Sequence, residues 1–407
     1  MRPNSDGKYI FKSINFDSVF LPSPADVCQL LGLPDNVVKM LPVMEAHYDQ
    51  PLNVSRSSRS EITRNGVAKP TIKKVSNWLD LLPIPITRLI NTPNMLKTRR
   101  ALAVSSNAGH WYSASYGFRL AGHDSELMTL FDFIDARAEA DYQMVKGVKH
   151  QIKQKIIDKN DSNAVWQAQL ASWQKHSLVS DELLSRFSLY SNSVDKLVFK
   201  TEQDATVFFK AVLSLVFDFY FSAIAHYELG LSLYYMRCGA KGANEPHRSL
   251  FSSVINTYAN EKCTCFSAML NQLRVILENN ELPSSWRALA VYIDIEEAGH
   301  GVELLSDKQY RQLNYWRNGE DMPSAKKLRQ FVANYMNALG SNDVDSIVNY
   351  LRIASGIDRL ILKDDEHIED GKVLPVPAYV FAEVLEQYPR YFEHYKQNYT
   401  TKDVQTV

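Results

Sequence analysis

Four cysteines in 407 residues, Cys28, Cys238, Cys263 and Cys265, are too few to make a disulfide framework. Charge of one sign is missing as well. Forty-five Lys and Arg stand against 46 Asp and Glu, a formal net charge of −1. The molecule as a whole therefore has no strong pull toward nucleic acid or membrane, and any such binding must come from a local patch. The opening stretch MRPNSDGKYIFKS has no apolar run before polar residues return, so no secretory leader is read there and a cytoplasmic location is expected. There is no phosphate-cradling Gly loop, no G-x-S-x-G elbow and no H-E-x-x-H pair. No fixed-period repeat and no low-complexity tract is present either. Accordingly no catalytic residue, cofactor or metal is assigned. An enzyme whose groups converge from distant positions is not excluded.

What is present is ordinary for a globular chain: 45% hydrophobic and 22% charged residues. The length sets a prior of two or three domains at roughly 150 residues each. Residues 1–200 are proline-punctuated at first and then helical; residues 201–407 are regularly helical, and the change in regularity puts a boundary near 195–202. The expected fold is mainly α, a multi-helix protein with an irregular N-terminal part and few or no strands. One strand is expected at His110–Phe118, where HWYSASYGF alternates. Helices are expected from Asp124 to about Ile156, around 166–176 and 181–190, and near 203–236, 248–279, 284–297, 306–317, 324–339, 342–362 and 377–398.

Val207–Met236 is long enough to span a bilayer, but it carries Lys210, Asp218, His226 and Glu228, which are expensive at bilayer depth. A deeply buried helix of a protein with no membrane partner is the better reading. Within it Lys210, Ser214, Asp218, Ser222 and His226 recur every four residues, drifting about 40° per step. This stripe is expected to be the solvent edge of the helix. The alternative is a buried polar groove in which Asp218 and His226 are bridged by Ser222 or a ligand.

Other groupings carry less. Cys263 and Cys265 are two apart and diverge on a helix, so they cannot share an ion with Cys238 or His247 unless the helix breaks there. Glu297 and His300 have di-iron spacing but lack the second pair that this chemistry needs. Between Ser55 and Val75 six basic residues (Arg56, Arg59, Arg64, Lys69, Lys73, Lys74) face one acid, Glu61. With Lys97, Arg99 and Arg100 this is read as a solvated surface loop.

The most informative stretch is WRNGEDMPSAKKLRQF, Trp316–Phe331. Leu328, Phe331, Val332, Tyr335, Met336 and Leu339 make an apolar stripe on a helix capped by Ser324. Leu313 and Trp316 lie one turn apart on the helix before it, and Gly319 suits its left-handed stop. Two helices must turn sharply over one small core. From Leu305 to Gly340 there are six basic and three acidic residues.

Leu313, Trp316, Gly319, Pro323, Ser324 and Leu328 resemble the second half of a Cro/C1-type helix-turn-helix, within a unit at 286–340. In that frame Glu303 and Asp307 stand where the family has a small residue and the Gly of its turn. The resemblance implies a double-stranded DNA partner. Tyr310 and Arg311 would face the groove with Gln309 beside them and Tyr315 further on, while Lys308 and Arg317 would hold the backbone. The competing expectation is an all-α protein-interaction or scaffold protein, engaging a protein partner or a second copy of itself.

Overall fold

A computed structural model describes residues 4–12, 19–35, 37–61, 69–81, 106–120, 124–190, 196–239, 249–261, 263–295, 304–364, 366–369 and 372–403. The protein is mainly α. The N-terminal part contains strand β1 (Tyr9–Lys12) and helices α1 (Pro24–Leu30), α2 (Val37–Tyr48), α3 (Arg56–Glu61), α4 (Lys69–Leu81), α5 (Asn107–Leu120), α6 (Asp124–Lys153), α7 (Ser162–His176) and α8 (Asp181–Tyr190). After β2 (Lys196–Phe199) come α9 (Glu202–Arg237), α10 (Leu250–Glu261), α11 (Cys265–Asn279), α12 (Trp286–Ala290), α13 (Leu305–Asn318), α14 (Ala325–Ala338) and α15 (Val344–Asp364). A hairpin of β3 (Glu366–Glu369) and β4 (Lys372–Pro375) leads to α16 (Ala378–Leu385) and α17 (Tyr388–Asp403).

The four short strands form one antiparallel sheet in the order β2-β1-β3-β4. Tyr9 lies opposite Phe199, and Ile10 opposite Ile368, so the sheet joins residues from both ends and the middle of the chain. One continuous core runs from Tyr9 to Phe392. A small satellite of Leu41, Leu52 and Trp78 sits under α2–α4.

Several expectations need correcting. His110–Phe118 is helix, not strand. Among its described side chains Ala108, Tyr112 and Ser115 are buried, and their spacing of four and three is helical; the alternation of Tyr112, Ala114, Tyr116 and Phe118 misled. The basic stretch at 55–75 is helical at α3 and α4 rather than a loop. There Arg59 makes a two-pronged ion pair with Glu45, at 2.6 and 2.8 Å, and also donates to Val54 and Leu52 carbonyls. Arg64, Lys97, Arg99, Arg100, His247, Glu297, His300 and Glu303 lie outside the described residues. The expected helix at 248–279 is two helices, because Thr264 caps α11 by accepting from the Ser267 amide. The expected helix at 377–398 is likewise split, at Glu386 and Gln387.

The break before α11 is the one a shared ion at Cys263 and Cys265 would require, but the thiols are placed otherwise. Cys265 is buried, and its amide and that of Phe266 donate to the Asp358 carboxylate at 2.7 and 2.9 Å. No group of three metal-ligating side chains occurs among the described residues. Burial pushes the Asp358 carboxyl up to about 6, against the two backbone donors that pull it down. A carboxyl raised on folding contributes stability that is complete below its unfolded value and is lost as pH rises through the folded one. The expected result is a stability that falls between about pH 4 and 6 with a slope approaching ~1.4 kcal/mol per pH unit from this group. Asp358→Asn should flatten that segment of a denaturant-midpoint-versus-pH curve, and an unchanged slope would show that Asp358 is not its source.

α9 is the spine. Among the described residues it is the one helix long and apolar enough to cross a membrane, and 72% of its most apolar window is buried inside the protein. It packs against α6, α16 and α17. The stripe expected at its solvent edge is buried instead: Ser214, Asp218, Ser222 and His226 are all inside, and only Lys210 keeps appreciable exposure. Lys210 pairs with Glu383. Gln387 donates to the Ser214 hydroxyl at 3.1 Å, Tyr391 donates to Asp218 at 3.0 Å, and the Ser222 and Tyr395 hydroxyls meet at 3.0 Å. All four pairs are separated by 173 residues. The C-terminal segment therefore runs parallel to α9 in one fixed register, and the register survives the break between α16 and α17. Ser214, Asp218 and Ser222 each find a partner one turn after the last, as burial demands, while the His226 ring packs between Phe133 and Tyr395.

Candidate nucleic-acid interface

α13 and α14 meet as the residue pattern requires. Gly319 ends α13 at φ 73°, a left-handed conformation that residues with a Cβ rarely adopt. Its amide donates to Trp316 and that of Glu320 to Tyr315, so the last carbonyls of the helix are satisfied. Ser324 then caps α14 by accepting from the Lys327 amide. Leu313, Trp316, Leu328, Phe331 and Val332 are all buried in the one core, and the Trp316 and Phe331 rings meet edge to face at 5.6 Å. The Tyr335 hydroxyl donates to the Leu273 carbonyl at 2.9 Å, and the Thr264 hydroxyl to that of Arg317 at 3.3 Å. These two bonds fasten the pair to α11.

At 100° per residue the positions on α13 sort into three sectors. Gln309, Leu313 and Trp316 share the inner one. Gln309 is buried, and its amide donates to the Val291 and Ile293 carbonyls at 3.1 and 2.8 Å; it anchors the helix and does not face outward. Tyr310 and Arg317 lie on the flank toward α12. The Arg287 guanidinium sits over the Tyr310 ring at 4.7 Å and that of Arg317 over the Trp286 ring at 3.7 Å. Burial holds the Arg317 pKa below its ordinary value. Lys308, Arg311 and Tyr315 occupy the outer sector, where Arg311 and Tyr315 are exposed and Lys308 is half-exposed. The six residues read from the sequence thus divide into three that face outward and three that bind α13 to the body.

The neighbouring acids are engaged. Arg287 holds Asp307 at 2.8 Å, Gln312 donates to Asp321 at 2.7 Å, and Asn318 donates to Glu320 at 3.0 Å. Lys326 and Lys327 are exposed in the first turn of α14. Asp307, where the resemblance puts a turn, lies instead in the first turn of α13, and α12 ends at Ala290.

Sequence reasoning offered Asp218 as part of a buried groove at the middle of α9 but missed the cation that meets it there. Arg137 of α6 reaches Asp218 at 2.6 Å, with side-chain exposures of 1% and 0%. Asp218 also accepts from the Leu178 amide at 2.9 Å as well as from Tyr391. Arg137 donates to the carbonyls of Phe20 and His176 and lies 3.8 Å above the Phe20 ring. The available signal was a cation at position 137 between the core positions Ile134 and Ala138. Nearby, Glu228 is buried and accepts from Ser249, Tyr388 and the first amides of α10. Burial raises its pKa, against the bonds that lower it.

No protein-family model, no curated protein and no solved structure matches this chain.

Proposed function

We propose that the chain binds double-stranded DNA through the outer face of α13. The observation that carries this reading is the sorting of that helix: Lys308, Arg311 and Tyr315 share the outer sector, while the buried Leu313 and Trp316 hold it from behind. A rigidly backed helix with cationic and aromatic side chains outward has the chemistry to enter a major groove. Lys326 and Lys327 at the adjoining end of α14 supply cations for the phosphates. The pairing of Asp307 and Asp321 with neighbouring side chains moderates the repulsion those acids would exert. Binding by these four cations should weaken with salt at a slope of about −3 to −4 in log K against log salt. Arg311→Ala should cost about 1–3 kcal/mol of affinity with an unchanged circular dichroism spectrum. Fluorescence anisotropy on a mixed-sequence duplex library checks both, and affinity that ignores salt and Arg311 would refute the proposal.

A second reading has its own observation. Leu304 and Leu305 are 68% and 44% exposed at the start of α13, on the same side as Lys308. Two uncovered leucines beside a cationic stripe suit an acidic, amphipathic protein partner as well as they tolerate DNA. Leu304→Ser with Leu305→Ser should leave duplex binding intact if the first reading holds. It should abolish partner capture if the second does.

A further inference from the structure

Beside the Arg137–Asp218 pair a cleft of about 340 Å3 opens between α6, the end of α7 and α17. This is within the range of pockets that hold small organic ligands. A second cavity, against α1, α11, α14 and α15, has only about 40 Å3, room for a few water molecules at most.

The inner wall of the larger cleft is aromatic. Phe133 stacks on His226 with ring centres 4.8 Å apart and planes at 17°, and Tyr395 lies 4.2 Å from the His226 ring. The rim is cationic or imidazole: Lys175 and His394 are exposed, and His176 is half-buried. The sole acid on the rim, Asp132, is held by Arg119 at 2.8 Å. Asp218, beneath, is neutralised by Arg137 and saturated by Leu178 and Tyr391. Burial, helped by His394, lowers His226 to about 3. At neutral pH its ring therefore adds polarisable surface without charge. An apolar ring wall beneath a rim that carries the Lys175 ammonium and the His176 and His394 imidazoles suits a molecule with the opposite layout.

We propose that this cleft is a binding site for a small planar aromatic anion, one or two rings carrying a single carboxylate or phosphate. Its ring lies against Phe133, His226 and Tyr395, and its charge meets Lys175 and His394. This site shares no residue with α13 and is independent of the DNA reading. The probe is naphthalene-1-carboxylate, titrated into the full chain by calorimetry. One saturable site is expected, with Kd in the range of about 0.1–1 mM for a ligand of this size. Naphthalene-1-methanol, the same rings without charge, should bind about tenfold or more weakly, and acetate should not compete. Lys175→Glu with His394→Glu should weaken the naphthoate about tenfold. Both residues are at the surface, so the melting temperature should not move. If that variant misfolds, the His394 imidazole resonances of the unaltered chain must still shift on titration. Equal affinity for the neutral analogue, indifference to the charge reversals, or no saturable binding would each overturn the proposal.

Discussion

Asp218→Ala is expected to cost about 3–5 kcal/mol of folding free energy, because it strands a charged guanidinium in the core. Arg137 has almost no contact with water, and its two carbonyl partners, Phe20 and His176, cannot neutralise it. The same change leaves the Tyr391 hydroxyl and the Leu178 amide without their acceptor. Urea denaturation read by tryptophan fluorescence measures the loss; Trp173 reports locally, since the Arg137 guanidinium lies 5.7 Å from its ring. The double variant Arg137→Met, Asp218→Leu separates attraction from desolvation. Removing both charges should recover the part of the loss due to the stranded guanidinium, while the Tyr391 hydroxyl and the Leu178 amide, still without their acceptor, keep the rest. If Asp218→Ala alone costs less than about 1 kcal/mol, the pair is not shut away from solvent as described.

Trp316→Ala is expected to be comparably severe, at about 3–5 kcal/mol. The indole is fully buried and packs edge to face on Phe331, so its removal opens a cavity between α13 and α14. It should also reach further than the stability measurement. With the inner sector of α13 hollowed, Lys308, Arg311 and Tyr315 lose their rigid backing, and duplex affinity should fall although none of the three is changed. Trp316→Phe, which keeps an aromatic ring in place, should restore most of the stability and the affinity together. Recovery of stability without affinity would show that α13 does not act as a rigidly backed reader.

Legibility followed the physics of each segment. The α13–α14 turn could be read almost residue by residue, because Gly319, Ser324 and the apolar stripe from Leu328 to Met336 act through local backbone geometry. The same stripe gave the inner sector but not the partners of Gln309, Tyr310 and Arg317. Those depend on Trp286, Arg287, Val291 and Ile293, which are separated from α13 by a stretch whose path no periodicity foretells. The polar stripe of α9 was visible, but its burial was not. An amphipathic helix and a buried helix with internal polar partners have the same period, and only the companion spacing of Glu383, Gln387, Tyr391 and Tyr395 distinguishes them. The strand expected at 110–118 failed because Tyr112 and Tyr116 are four apart, a spacing that falls on one side of a strand and on one face of a helix alike.

The fixed offset of 173 residues has a consequence for how the molecule is made. A ribosome releases α9 long before residues 383–395 exist, and during that interval Ser214, Asp218 and Ser222 lack Gln387, Tyr391 and Tyr395. The spine must wait, partly assembled and sticky, for the last helices to dock. Synthesis rate over the stretch between α9 and α17 should therefore govern yield more than it governs the stability of the folded protein.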